Sequence, residues 1–397
     1  MFLDCVACGR RKNKMELQGY SVGNGKRVSV RINEGLITDC LELETKQEDG
    51  YVSPGFVDIQ VNGYRGIDYS SEAFTSVQLA TMVRYLAAAG VTRHLPTITT
   101  APQGRILGFI EKIKQARSVD ALISHAVPGI HIEGPYISGE DGPRGTHDAA
   151  FVRNPDLREF FEWYEACEGL LKIVTLAPEL PGAMEFIKEV STLGVVVAIG
   201  HTAASREIIL QAVEAGASLS THLGNGSAAK LPRLRNFLWP QVASDALSAS
   251  IIADGHHLPP EVVVVFSRTK GLDNLILVSD VAPLGGYPKG NYAWGNVSVA
   301  VFEDGHIGLP GTEILAGAAH LLDWDIAHFM RYTGVSLVDA IRLCTQNAAK
   351  LIHLEHPTCA LSAGEPADVV QFAYDGKGDS LRILKTVING EVIYSQA

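Results

Sequence analysis

The chain is short of every feature that would take it out of the class of ordinary water-borne globular proteins. It has six cysteines in 397 residues, too few and too scattered for a disulfide framework. Cys5 and Cys8 form a single Cys-x-x-Cys with no second pair; two reduced thiols is the plain reading, metal or redox work the alternative. No apolar run approaches the roughly 18 residues that suggest a membrane span. The start, Met-Phe-Leu-Asp-Cys, has no positive head before a long apolar stretch, so a reducing cytoplasmic setting is expected. Positive charge is scarce as well: 33 Lys and Arg against 44 Asp and Glu give a net charge of -11. Without a basic stripe to neutralise phosphates, no nucleic-acid partner is expected, and the short run Arg10-Arg11-Lys12 reads as a solvated turn. A Gly-rich phosphate loop after the first strand is missing too, which argues against an open doubly wound sheet.

What the chain has is a repeated strand, loop, helix pattern. Apolar runs read as strands at Phe56–Val61, Val91–Thr97, Val127–Ile132, Lys172–Leu176, Val195–Ile199, Ala217–Ser220, Ala249–Ile252 and Leu275–Val278. Between the first two, Leu79, Met82, Val83, Leu86 and Ala87 make a helical stripe closed by Gly90. Eight such strands predict an α/β fold, a (β/α)₈ TIM barrel with catalytic groups at the C-terminal strand ends. Alternating Val28, Val30 and Ile32, and the Asn389-Gly390 turn between two short strands, predict a small β-sandwich domain built from both termini. The expected division is residues 1–52 and 355–397 for that domain and 53–354 for the barrel, with a β-hairpin insertion near 287–310.

Polar residues sit where such a barrel places its chemistry. Glu133 ends the third run, His201 and His222 follow the fifth and sixth, and Asp280 follows the eighth. A carboxylate in the apolar context Gly-Ile-His-Ile-Glu-Gly-Pro is costly to bury without a cation or hydrogen bonds. One carboxylate and two imidazoles can hold a catalytic metal with one open position, leaving Asp280 free to move protons. The duller alternatives are a loop-capping Glu133, structural histidines and a capping Asp280. On the first strand, Gln60 and Asn62 are two residues apart and share a face. Neutral amides compete poorly with imidazole for a transition metal, so they read as hydrogen-bonding supports.

These segments resemble the amidohydrolase superfamily and, within it, the N-acetylglucosamine-6-phosphate deacetylase family, over about residues 50–397. The likeness rests on Pro54-Gly55-Phe56-Val57-Asp58, Gln60-Val61-Asn62-Gly63, His131-Ile132-Glu133-Gly134-Pro135, Gly145-Thr146-His147 and Thr175-Leu176-Ala177-Pro178-Glu179. It continues through Gly200-His201, Thr221-His222-Leu223, Ile252-Ala253-Asp254-Gly255, Ser279-Asp280 and Leu315-Ala316-Gly317.

The resemblance implies hydrolytic deacetylation of an N-acetylated amino sugar 6-phosphate. It implies one divalent ion per chain (Zn2+, or Fe2+ or Co2+) on Glu133, His201 and His222, with Gln60 and Asn62 standing where other members hold a second metal. Asp280 would be general base and then acid, and His147 would polarise the acetamide carbonyl. It also implies a homodimer, and substrate contacts at Asn225, Gly226, His257, Leu315, Ala316 and Gly317. Here Gly224-Asn225-Gly226-Ser227-Ala228 replaces the family's aromatic-Asn-Ala-Met run, and its Gly-Arg-Glu-Pro-Gly segment is missing. Arg233 and Arg235 either take over the phosphate or are surface charges. Another small amide, such as an N-acyl amino acid, or a binding role without turnover are the rival readings.

Overall fold

Eight short apolar strands carry the molecule. The structure is a computed structural model describing residues 14–44, 50–294, 297–312, 314–356 and 360–396; Cys5, Cys8 and the Arg10–Lys12 run lie outside these described residues. The barrel strands are β1 (Phe56–Val61), β2 (Val91–Thr99), β3 (Ile130–Glu133), β4 (Leu171–Leu176), β5 (Val196–Ile199), β6 (Leu219–Ser220), β7 (Ser248–Ile251) and β8 (Leu275–Leu277). They pair in parallel, each with its sequence neighbour, in one eight-stranded sheet. All eight fall where the apolar runs predict. β3 starts three residues late because Pro128, with no N–H to give, cannot join a ladder.

The ring closes just past the end of β8. Val61 bridges in parallel to Val281, Asp280 N donates to Gln60 O (3.0 Å) and Asn62 N donates to Val281 O (3.0 Å). Val57, Ile59, Leu95, Ile173, Val196 and Ile276 fill the lumen, and Ala348, Ala349 and Ile352 pack against them. Outside, helices cover the strands. The first, Ser76–Ala87, starts at a Thr75–Gln78 capping box and buries Leu79, Met82, Val83, Leu86 and Ala87, the stripe visible in the sequence. Among the described residues no helix is long and apolar enough to cross a membrane.

Strands from both ends form the second sheet. In spatial order they are Glu391–Ser395, Arg382–Ile388, Val369–Ala373, Tyr51–Pro54, Met15–Ser21, Arg27–Asn33 and Leu36–Glu42. Hydrogen bonding runs through all seven, so the two halves expected of a sandwich are one continuous sheet. They are joined by a two-residue parallel register, Tyr20 with Tyr51 and Ser21 with Val52. Leu17, Val28, Val30 and Ile32 from one half share a core with Val52, Val369 and Val387 from the other. The Asn389-Gly390 turn has positive φ at both residues (48° and 78°), as its sequence predicts. After β8, Gly290–Trp294, Val297–Val301 and Ile307–Gly308 make a three-stranded antiparallel insertion.

Asp368 fastens this sheet to the barrel. Its carboxylate accepts Arg93 Nε from β2 (2.8 Å), His125 Nε2 (2.8 Å) and the Asn389 backbone N–H (2.8 Å). Burial alone would raise its pKa, but the His125 hydrogen bond and the charges of His125 and Arg93 outweigh that and hold it below its ordinary 3.8. The stabilisation is therefore present above the ordinary carboxylate range and is lost as pH falls below 3.8 through the folded-state value. Asp368→Asn is expected to cost about 3 kcal/mol in urea denaturation at neutral pH, because it strands a largely buried guanidinium. The gap between the two proteins should narrow as the titration is repeated at lower pH; a gap that stays constant would rule out the ion pair as its source.

Candidate active site

Seven polar side chains meet at the C-terminal mouth of the barrel. Glu133 is the last residue of β3 and almost wholly buried. His201 and His222 lie two residues past β5 and β6, and Asp280 three past β8. These last three have left-handed backbones, with φ of 49°, 30° and 48°. Non-glycine residues are uncommon there, and such strain clusters at functional sites. Glycine would relieve the strain but would remove the imidazoles and the carboxylate from the mouth.

Glu133 Oε1 collects three nitrogens: Gln60 Nε2 donates at 2.9 Å, His222 Nε2 lies at 3.0 Å and His201 Nε2 at 3.3 Å. His147 Nε2 is 4.0 Å from the other oxygen. Burial pushes the carboxyl upward, yet hydrogen bonds and charge from His201 and His222 prevail and hold it well below its usual range. Burial likewise pulls His222 down, and Glu133 more than reverses it. The supports predicted on β1 are both engaged, since Asn62 Nδ2 donates to Asp280 Oδ1 at 2.7 Å. Asp280 accepts no hydrogen bond on its other carboxylate oxygen among the described residues. Burial, with Glu133 adding to it, lifts its pKa to about 6 against the opposing pull of His222, His257 and Asn62.

The donor set fits a divalent transition ion. One oxygen of Glu133 and one nitrogen each of His147 and His201 lie within 4.8 Å of one another, and His222 reaches the same carboxylate. The ring tautomers sort ligands from donors. His201 Nδ1–H donates to Pro143 O at 2.8 Å, so Nε2 is the nitrogen that faces Glu133 and can give up its proton to serve as a ligand. His222 Nδ1 is buried and without a partner among the described residues, so Nε2 is the nitrogen the site holds in place. His147 differs. Its Nδ1 accepts the Thr100 backbone N–H (3.4 Å) and lies 2.8 Å from Thr100 Oγ1, which places its proton on Nε2, inside the site. Burial first, with nearby His201, drives its pKa down to about 3, so the ring is neutral. It is a hydrogen-bond donor aimed inward.

The other expected contacts divide into those near the mouth and those away from it. His257 Nδ1–H donates to Asp254 Oδ2 at 2.8 Å, and Asp254 Oδ1 caps the N–H groups of His256 and His257. Asn225 has a buried amide nitrogen without a partner among the described residues. Gly226 closes over His201, where an added Cβ would stand 2.9 Å from Nδ1. Leu315, Ala316 and Gly317 run beside Asp280, whose carbonyl accepts Ala318 N at 3.3 Å. Arg233 and Arg235 are exposed. Three supports were given no role from sequence, though all but Thr100 stand in the segments quoted above: Thr100, Asp254 and the Asp58–Ser279 pair (2.5 Å) behind Asp280. Thr100 and Asp254 sit just past β2 and β7, and that placement is the signal that could have found them.

The sequence profile of the amidohydrolase family matches residues 51–393. The chain belongs to that family. Within it, the N-acetylglucosamine-6-phosphate deacetylases are its relatives. The Bos taurus protein of that name is 34% identical over 361 residues, covering 86% of this chain and 83% of the relative. The Bacillus subtilis protein of that name is 28% identical over 386 residues, covering 96% and 94%. Among solved structures, the N-acetyl-D-glucosamine-6-phosphate deacetylase of Mycobacterium smegmatis superposes with a TM-score of 0.83 at 26% identity, covering 96% of this chain and 100% of that one.

For this amidohydrolase the tautomers lead to a separable outcome. His201→Ala and His222→Ala should each lose bound metal, whereas His147→Ala should keep it, as read by metal analysis of the purified proteins. Metal loss in His147→Ala equal to that in His222→Ala would reverse the assignment of donor and ligand.

Proposed function

We propose that the chain hydrolyses N-acetylglucosamine 6-phosphate to glucosamine 6-phosphate and acetate. The observation that carries this is the pairing of Glu133, set between His201 and His222, with Asp280, held on one oxygen by Asn62 and, among the described residues, free on the other. Binding alone would need no such proton carrier, and the relatives named above are deacetylases of this substrate. Residues 53–354 are assigned to the catalytic barrel, and residues 1–52 with 355–397 to the small β domain.

Glu133, His201 and His222 would hold one divalent ion, with Zn2+ favoured by the two-imidazole, one-carboxylate set. When bound, it supplies Lewis-acid polarisation and a lowered water pKa. His147 Nε2–H donates to the acetamide oxygen as negative charge develops there. Asp280 takes a proton from the attacking water at its free oxygen and delivers it to the sugar nitrogen as the C–N bond breaks. Gln60 and Asn62 take the place of a second metal: each amide is spent on a hydrogen bond to a site carboxylate. Asn225, Gly226, His257 and the 315–317 segment border the substrate space. Arg233 and Arg235, exposed beside it in sequence, are assigned to the phosphate. A cytoplasmic homodimer completes the proposal; Cys40 and Cys167, thiols outside any disulfide among the described residues, suit a reducing compartment.

Acetate release from N-acetylglucosamine with and without its 6-phosphate tests the substrate. Release that depends on the phosphate is expected, while equal rates on the two sugars, or none on either, would sink the assignment. Asp280→Asn should lower kcat by about 10²–10⁴ with metal content unchanged. Undiminished acetate release in that variant would remove Asp280 from the proton pathway.

A further inference from the structure

A second group of metal-type ligands lies outside the catalytic mouth. The insertion turns at Phe302-Glu303-Asp304-Gly305-His306, closed by Gly305 N to Phe302 O (3.1 Å) and Phe302 N to His306 O (2.9 Å). That turn places Asp304 and His306 on the loop after β7, against His256. One ligand atom from each of His256, Asp304 and His306 lies within 4.8 Å of the others. His306 Nδ1 is 2.6 Å from Asp304 Oδ1, and His256 Nδ1 is 3.9 Å from Asp304 Oδ2, too far for a hydrogen bond. With metal–ligand bonds near 2.0–2.2 Å, donors on one ion stand roughly 3–4 Å apart. One pair already lies in that range, and the other needs to open by less than an ångström.

The surroundings fix the rings where an ion would need them. His306 stacks on Phe302 (centroids 4.2 Å, 7° between planes), and His256 lies between His306 (5.2 Å) and His320 (5.9 Å, 16°). His320 stacks in turn on Trp324 (4.0 Å). Independently, His320 Nε2 is buried and has no hydrogen-bond partner among the described residues. It faces the same turn, where a Cβ on Gly305 would stand 3.4 Å from it. A buried polar nitrogen without a partner is costly, and this one points at the backbone between Asp304 and His306.

We infer that His256, Asp304 and His306 form a binding site for a divalent transition ion of the Zn2+ type, separate from the catalytic centre. Two imidazoles and one carboxylate select such an ion over Mg2+ or Ca2+, which want all-oxygen shells. The three partly exposed ligands leave positions for water. In the ion-free molecule the His306 Nδ1 proton rests on Asp304; binding displaces it and ties the insertion turn to the 254–257 loop. The neighbour of His256 in that loop is His257, which Asp254 holds toward the catalytic mouth. An ion here would clamp a segment that borders the substrate space without touching the reacting atoms.

The test uses holoenzyme whose starting metal content has been measured. Equilibrium dialysis against micromolar Zn2+ should load one further equivalent per chain in the wild type. His306→Ala and Asp304→Ala should each weaken that equivalent at least about tenfold, while starting metal content and basal activity stay at wild-type levels. No further equivalent in the wild type, or one of unchanged affinity in both variants, overturns the site. The starting content reports on Glu133, His201 and His222, so failure of this site and failure of the catalytic assignment are read from different numbers.

Discussion

A single buried negative charge organises this molecule. Glu133 sits at the end of a strand that is buried along its whole length, where an unpaired carboxylate is prohibitively costly. The surrounding sequence answers that cost: an amide from β1 and imidazoles from the ends of β5 and β6 all converge on the one oxygen. Each must arrive from a different strand, so meeting the charge fixes the relative heights of those strands at the barrel mouth. The groups gathered on Glu133 are thus also a register mark for the sheet.

Hydrogen bonds one step further out decide what each ring does. His131, His201 and His222 are buried near the mouth with His147 half-buried beside them, and chemically they are alike. His131 lies 3.2 Å from Ile59 O and 2.8 Å from Thr175 Oγ1, so both its nitrogens are occupied and it is out of the chemistry. His201 leans on a carbonyl and becomes a lone-pair donor; His147 receives an N–H and becomes a proton donor. Backbone groups, which do not change with side-chain substitution, therefore assign roles to interchangeable side chains.

That division explains what could be seen in the sequence. Strands buried on both faces read as apolar runs, so all eight were visible, as was the pairing of Gln60 with Asn62, because a period of two is local. Glu133, His201, His222 and Asp280 stood out as polar residues at the ends of those runs. Their neighbours were harder. Thr100 matters for its main-chain N–H, which every residue but proline possesses. The continuity of the terminal sheet depends on a two-residue register at Tyr20 and Ser21, with no side-chain signature. The meeting of His256 with a turn some fifty residues later is set by how the insertion folds back, which composition does not encode. The exposure of Arg233 and Arg235 likewise depends on a loop path with no periodic pattern to read.

The seam of the barrel joins Gln60 and Asn62 to Asp280 and Val281, residues that are far apart along the chain. The sheet becomes a ring at the very contacts that orient the Asp280 carboxylate, the proposed proton carrier. Such distant pairing carries a high loop-closure cost. A chain in which the seam has not formed lacks the contacts that align Asp280, so competence arrives together with closure. The fold carries its own inspection step: a chain able to turn over substrate is, by construction, one whose first and last strands have found each other.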